Sequence, residues 1–225
     1  MHALIEQWPR FFSGPNILFL ATALAHTVLL SLASCSLGLL FGFLIASTRL
    51  TRSWTLLPLR LLLTGLTESL RRIPPLVVLF LVFFGFSLIA VDIEPFWIAL
   101  FALTLIATAF IAEIVRSGFR SIPREQWDAA ATMNFSLVQT LAHVVVPQAW
   151  KIIVPTVSLF FVMFIKDTAL ASQIGVLELT FVGKSFIDRG FSPLLSFGTV
   201  LALYFILSFP LARTGQWLEA RLASS

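Results

Sequence analysis

From Ile17 to Ser47 the chain carries no Asp, Glu, Lys or Arg. A helix that spans the hydrocarbon of a bilayer needs only ~20 apolar residues, so this run is long enough to cross with residues to spare. Inside lipid, every backbone N–H and C=O must find its partner within the segment, which leaves the helix as the only open-ended solution. Composition extends the point to the whole chain. It is 58% hydrophobic and 12% charged, with a mean hydropathy of +0.96; soluble domains carry about twice that charge fraction. The 225 residues are read as a single domain, 1–225, an all-α integral membrane protein.

Charge and proline punctuate the rest. Ile73 to Val91 is a second uncharged run, opened by Pro74 and Pro75, which suit a helix start better than its middle. Arg60 to Arg72 ahead of it reads either as an interfacial helix or as the lower half of one kinked helix. Asp92, Glu94 and Pro95 mark a turn, and the third run ends at Glu113 and Arg116. A fourth run, Ile152 to Ile165, contains Pro155. Gly175 to Phe186 reads as a surface or re-entrant helix, and Gly190 to Ala212 as a last span. The expectation is five spans at about 17–47, 56–91 with a break near 73–75, 95–116, 148–170 and 191–213.

The formal net charge of +4 does not point to nucleic acid, because the basic residues sit in loops flanking the apolar runs. Arg49, Arg52, Arg60, Arg116, Arg120, Arg124, Lys151, Arg213 and Arg221 gather on one side, and Arg10, Lys184 and Arg189 on the other. The positive-inside rule then predicts a cytoplasmic C-terminus and an outward N-terminus. Cys35 is the only cysteine, which excludes an internal disulfide and a multi-cysteine metal site. Leu32-Ala33-Ser34-Cys35 looks like a lipoprotein cleavage box, but no clustered basic start precedes it and the apolar run continues past it. His26, inside the first run, is read as a neutral packed side chain.

Between the third and fourth spans lies a polar, alanine-rich island, about 121–143. Ser121 is the expected N-cap of a short helix, with Pro123 in its first turn. Glu125 and Asp128 complement the helix dipole, and Ala129, Ala130 and Ala131 favour the helix. Asn134 is a natural stop because it tolerates the left-handed conformation. Ser136 to Gln139 then fits a capping box that starts another helix. The expected result is helix, sharp turn, helix. The alanines permit close approach of another backbone, and Trp127 and Met133 supply larger anchors. Spacing alone fits either a docking helix laid in a partner's groove or a loop that happens to be helical.

Several blocks resemble one family. Asp128-Ala129-Ala130, Asn134 and Val144-Val145-Val146-Pro147 are similar to the cytoplasmic-loop pattern of ATP-binding-cassette importer permeases: Glu-Ala-Ala, then Gly, then Ile-x-Leu-Pro. Asp stands for Glu here, and Asn for Gly. Glu68 to Leu76, Ala112 to Gly118, Pro147-Gln148-Ala149, Lys166 to Leu170, Ile174-Gly175 and Glu178-Leu179-Thr180 resemble blocks of the polar amino acid branch, in order. The likeness runs from about Ile17 to the C-terminus.

The resemblance implies the transmembrane domain of a type I importer: five transmembrane helices plus a cytoplasmic coupling helix, in a bacterial inner membrane. It implies a coupling set of Glu125, Trp127, Asp128, Ala129, Ala130, Met133 and Asn134, seated on a separate nucleotide-binding ATPase. This chain has no Gly-x-x-x-x-Gly-Lys-Ser/Thr loop, so the resemblance puts ATP and Mg on that partner and no cofactor here. Its other implied partners are a second permease subunit, identical or not, and an external solute-binding protein. Charged residues within membrane segments mark the candidate substrate pathway: Glu68, Arg71, Arg72, Glu113, Lys166 and Asp167. Arg71 or Arg72 suits a carboxylate and Glu68 an ammonium, whereas Lys166-Asp167 and Glu113-Arg116 read as structural pairs. The cargo stays open among polar amino acids, opines and small thiol compounds.

Two rival classes are weaker. The only histidines are His2, His26 and His143, with no HExxH and no acids at catalytic spacing, which argues against a membrane enzyme. An ion-coupled carrier or channel fits the membrane charges but leaves the island without a purpose.

Overall fold

The computed structural model describes residues 2–51, 53–89 and 92–223; Arg52 and the end of the second apolar run at Val91 lie outside the described residues. Among them every regular element is helical. In order these are α1 (His2–Phe11), α2 (Gly14–Thr48), α3 (Leu57–Arg72), α4 (Pro75–Leu88), α5 (Pro95–Arg120), α6 (Arg124–Thr132), α7 (Leu137–Thr140), α8 (Val146–Asp167), α9 (Leu179–Asp188) and α10 (Pro193–Ala223).

By length and composition, α2, α5, α10 and the continuous stretch Leu137–Ile174 can each cross a membrane. The pair α3 and α4 qualifies only jointly, and the two helices meet at 116°. The prolines cause the break. Ile73 is extended ahead of Pro74, as a pre-proline residue prefers, and Pro75 restarts the helix at a position where its missing N–H costs nothing. The stretch Leu57–Leu88 is thus two helices with a sharp break, and α3 lies steeply across the direction of α4.

Helix α5 is the hub. Of its apolar stretch 67% is buried, against 17% for α10, so the other helices shield α5 from lipid. Its tightest neighbour is α2, and the reason is a stripe of small residues. A Cβ on Gly38 would stand 2.7 Å from the Ala107 Cβ, and one on Gly42 would stand 2.8 Å from the Ala112 backbone N. Gly-x-x-x-Gly spacing lets two helix backbones meet at this distance in a membrane, where dispersion replaces the hydrophobic effect as the packing force. Gly38 and Gly42 stand four residues apart within the first apolar run, so the spacing itself is a signal of this contact.

A second apolar cluster closes the end of the bundle where α2 begins. Phe11 of α1 packs edge-on against Phe186 and Phe191, and the Ser192 N–H donates to Gln7 Oε1 at 2.8 Å. Helix α9 is pinned to α2 by polar contacts. The Leu179 N–H donates to Thr27 Oγ1 at 3.2 Å. His26 Nδ1 lies 2.8 Å from the Leu177 carbonyl; since a carbonyl only accepts, Nδ1 carries the proton, in keeping with a packed histidine. Glu178 is buried and caps α9, accepting from the Thr180 and Phe181 amides and from the Tyr204 hydroxyl.

Candidate functional site

The island forms at the opposite end, and its local chemistry mostly follows the sequence. Helix α6 runs Arg124–Thr132 and ends on Asn134, at φ 56°, the only described non-glycine residue with positive φ. The Phe135 N–H donates to the Ala130 carbonyl at 3.1 Å and the Asn134 N–H to the Ala131 carbonyl at 3.0 Å. That pair of bonds is a Schellman stop. One residue later Ser136 and Gln139 form the expected capping box. Replacing Asn134 with Val puts a β-branched residue in the left-handed region, at a cost of roughly 1–2 kcal/mol. The expected readout is faster amide hydrogen exchange across 129–136 in Asn134→Val, and unchanged or slower exchange in Asn134→Gly.

One expectation is corrected here. Ser121 does not cap α6. Helix α5 continues to Arg120, and the Ser121 hydroxyl donates back to the Gly118 carbonyl at 2.7 Å. Pro123 stands at the cap, where its carbonyl accepts from the Gln126 N–H at 3.1 Å.

The coupling residues divide between two faces. Ala130 is buried and Trp127 is half-buried against the main core. Three residues apart, they form the inner face that seats α6. Gln126 adds a 3.3 Å bond from Gln148 of α8. Glu125, Asp128, Ala129, Met133 and Asn134 are exposed. Trp127 is therefore a root of the helix and not a free anchor, whereas Met133 is 66% exposed and available. Beyond α7 the chain makes one wide π-helical turn, Leu141–Val145, before α8. Pro147 accounts for it: a proline ring clashes with the carbonyl four residues back, here His143, and a wider turn relieves the clash. The outcome is a short helix anchored at both ends by rigid spans, α5 and α8.

The membrane charges also sort into two groups. Glu68, Arg71, Arg72 and Glu113 converge, and they bring in Arg49 and Arg116, the second of these as the expected structural pair of Glu113. Arg116 Nε donates to Glu113 Oε2 at 2.8 Å, and its Nη2 meets Oε1. Arg71 Nη1 lies 3.3 Å from Glu113 Oε2 and 3.4 Å from Glu68 Oε1. Arg49 lies 3.8 Å from Glu68 and 4.0 Å from Glu113, and Arg72 3.5 Å from Glu68. Glu68 thus faces three arginines. The network ties α3 to α5 and to the end of α2, across elements far apart in sequence.

Lys166 and Asp167 do not join this cluster. They lie at the far end of α8, Lys166 is exposed and Asp167 half-buried, and no ion pair links them among the described residues. Their expected pairing fails because neighbours in a helix point about 100° apart.

Glu113 is the keystone of the network. Glu113→Gln leaves Arg49, Arg71 and Arg116 crowded without their shared acid, with a loss of roughly 1.5–3 kcal/mol. Thermal unfolding of the purified protein should shift down by several degrees, and Arg116→Gln, combined with it, should add less than its separate effect.

Comparison with known proteins places this helical bundle in a family. Residues 38–224 match the model of the family described as binding-protein-dependent transport system inner membrane component. The chain belongs to this family. The permease is 32% identical over 222 residues to the L-cystine transport system permease protein TcyB of Bacillus subtilis, covering 97% of this chain and 90% of that one. It is 31% identical to the octopine transport system permease protein OccM of Rhizobium radiobacter, covering 84% and 80%. Among solved structures, an amino acid ABC transporter determined with histidines superposes with a TM-score of 0.83 at 25% identity, covering 92% of this chain and 95% of that one. The MetNI methionine transporter, at 21% identity and a TM-score of 0.78, shares the fold. The permease is accordingly a transmembrane transport subunit of the type I importer fold.

Proposed function

We propose that the permease imports a polar amino acid or a close derivative, driven by ATP that a separate ATPase subunit binds with Mg and hydrolyses. The exposed face of α6 carries this reading: a small, rigid helix with Ala129 at its surface, rooted through Trp127 and Ala130. Alanine on the outer face lets a groove close around it, and Met133 and Asp128 flank the contact. In this reading α6 and the C-terminus face the cytoplasm of a bacterium, and α1 faces outward, where a solute-binding protein delivers the cargo. A second permease subunit covers the lipid-like flank of α10, where Leu201 and Phe205 are exposed.

Substrate chemistry is inferred from relatives whose names specify cystine, glutamine, arginine and octopine. All these solutes share an amino acid carboxylate. Arg71 is our candidate for meeting it, because its Nε is buried without a hydrogen-bond partner. Arg72, 79% exposed, and Lys166 and Asp167 at the far end of α8 are kept as secondary positions on the path. The test is a thermal-shift screen of the cognate binding protein against amino acids and opines, followed by uptake of each stabilising solute into proteoliposomes. Uptake that needs internal ATP supports the reading. Uptake driven by an ion gradient without nucleotide contradicts it.

A further inference from the structure

Where α2, α3 and α5 end, four arginines surround one hollow. Arg49, Arg60, Arg116 and Arg120 line a cavity of ≈ 160 Å³, with Leu50 and Leu61 at its apolar rim and no acid among its lining residues. Glu68 and Glu113 pair with Arg49 and Arg116 of this lining and are shared with Arg71 and Arg72, which leaves Arg60 and Arg120 without a carboxylate among the ion pairs of the described residues. Four arginines thus share two glutamates, and Arg60 and Arg120 add two more guanidinium groups to the same hollow. Arg60 spends one donor on the Thr51 carbonyl at 2.5 Å, and Arg120 is exposed. An anion between guanidinium groups relieves their mutual repulsion, and planar N–H forks match the oxygens of a phosphate bidentately.

The position of the hollow says which phosphate. Arg49 caps α2, and Arg120 is the last residue of α5, so the hollow sits at the end of two spans, the depth of lipid headgroups. Its apolar edge continues along α3, where Leu59, Leu61, Leu62 and Leu66 are exposed, and Trp54 is 85% exposed beside them. Exposed leucines next to an exposed Trp are at home against acyl chains and headgroups, not in water. We propose that this hollow binds the phosphate of an anionic phospholipid, with the acyl chains lying on the leucine edge of α3. Basic pockets between spans are a known kind of headgroup site. The inference rests on membrane embedding alone and stands whatever the permease transports.

The test is native mass spectrometry of the intact permease in detergent, titrated with phosphatidylglycerol, phosphatidylcholine or inorganic phosphate. One phosphatidylglycerol should remain bound under activation that strips phosphatidylcholine. Arg60→Gln with Arg120→Gln should weaken its retention about 10–30-fold, at ~1 kcal/mol for each basic residue lost, while Arg60→Lys with Arg120→Lys should keep most of it. Equal retention of both lipids, or no loss in the glutamine variant, would overturn the proposal. So would inorganic phosphate that displaces phosphatidylglycerol and binds as tightly by itself, which would make the hollow a site for a soluble oxyanion. The wild-type comparison decides the matter even if the glutamine variant fails to fold.

Discussion

Ala129→Glu is expected to abolish ATP-driven uptake while leaving the permease folded and inserted. Ala129 is exposed on α6, so a glutamate there meets no packing of its own chain. In a closed groove of the ATPase the same glutamate is an unpaired buried charge. An uncompensated charge in an interface costs several kcal/mol, and about 3 kcal/mol is roughly a 100-fold loss of affinity. Co-purification of the ATPase subunit should disappear, and the melting temperature of the permease alone should stay within a degree or so of wild type. Met133→Glu, one turn on from Ala129 and 66% exposed, should show the same sign. Retained co-purification with full uptake in both variants would mean that the groove does not enclose this face.

Gly42→Val is expected to be the most damaging single substitution for folding. A Cβ at position 42 meets the Ala112 backbone N at 2.8 Å and the Ile111 carbonyl carbon at 3.2 Å. Backbone atoms on a neighbouring helix cannot step aside as a side chain can, so α2 has to separate from the hub. Overpacking in a tight core usually costs 1–3 kcal/mol, and β-branching at this point belongs at or above about 3. The permease should be degraded or lose its thermal transition in detergent. Gly65→Val is the control, since a Cβ there meets nothing within 4 Å. Equal yields and melting temperatures for the two variants would contradict the close approach of α2 and α5.

The proline break at 73–75, the Asn134 stop and the Ser136 box were legible in the sequence because each is decided within a few residues. The backbone needs left-handed geometry, a missing N–H or a reciprocal cap, and only a few side chains supply each. Ser121 misled because two local partners competed for its hydroxyl, and the Gly118 carbonyl behind it won. Partner choice among charges was not legible. Arg49 could be placed at the end of a span, but its pairing with Glu68 and Glu113 depends on how α3 crosses α5. Helix α1 escaped notice for a similar reason. It is too short to announce itself by periodicity, and its hold comes from Phe186, Phe191 and Ser192, far along the chain. The two faces of α6 were half legible: a period of 3.6 puts Trp127 and Ala130 together, but only the packed bundle shows that theirs is the inner side.

The most direct test of the account uses a photo-activated cross-linker placed at position 129, and separately at position 88, in the full transporter. Leu88 is 86% exposed at the end of α4 and serves as the comparison site. Cys35 is buried, so an introduced cysteine can carry the label without competition from it. The account predicts an adduct with the ATPase subunit from position 129 and none from position 88. Capture of the ATPase from position 88, or its absence from position 129 in a complex that still transports, would contradict the claim that α6 is where the motor grips the membrane subunit.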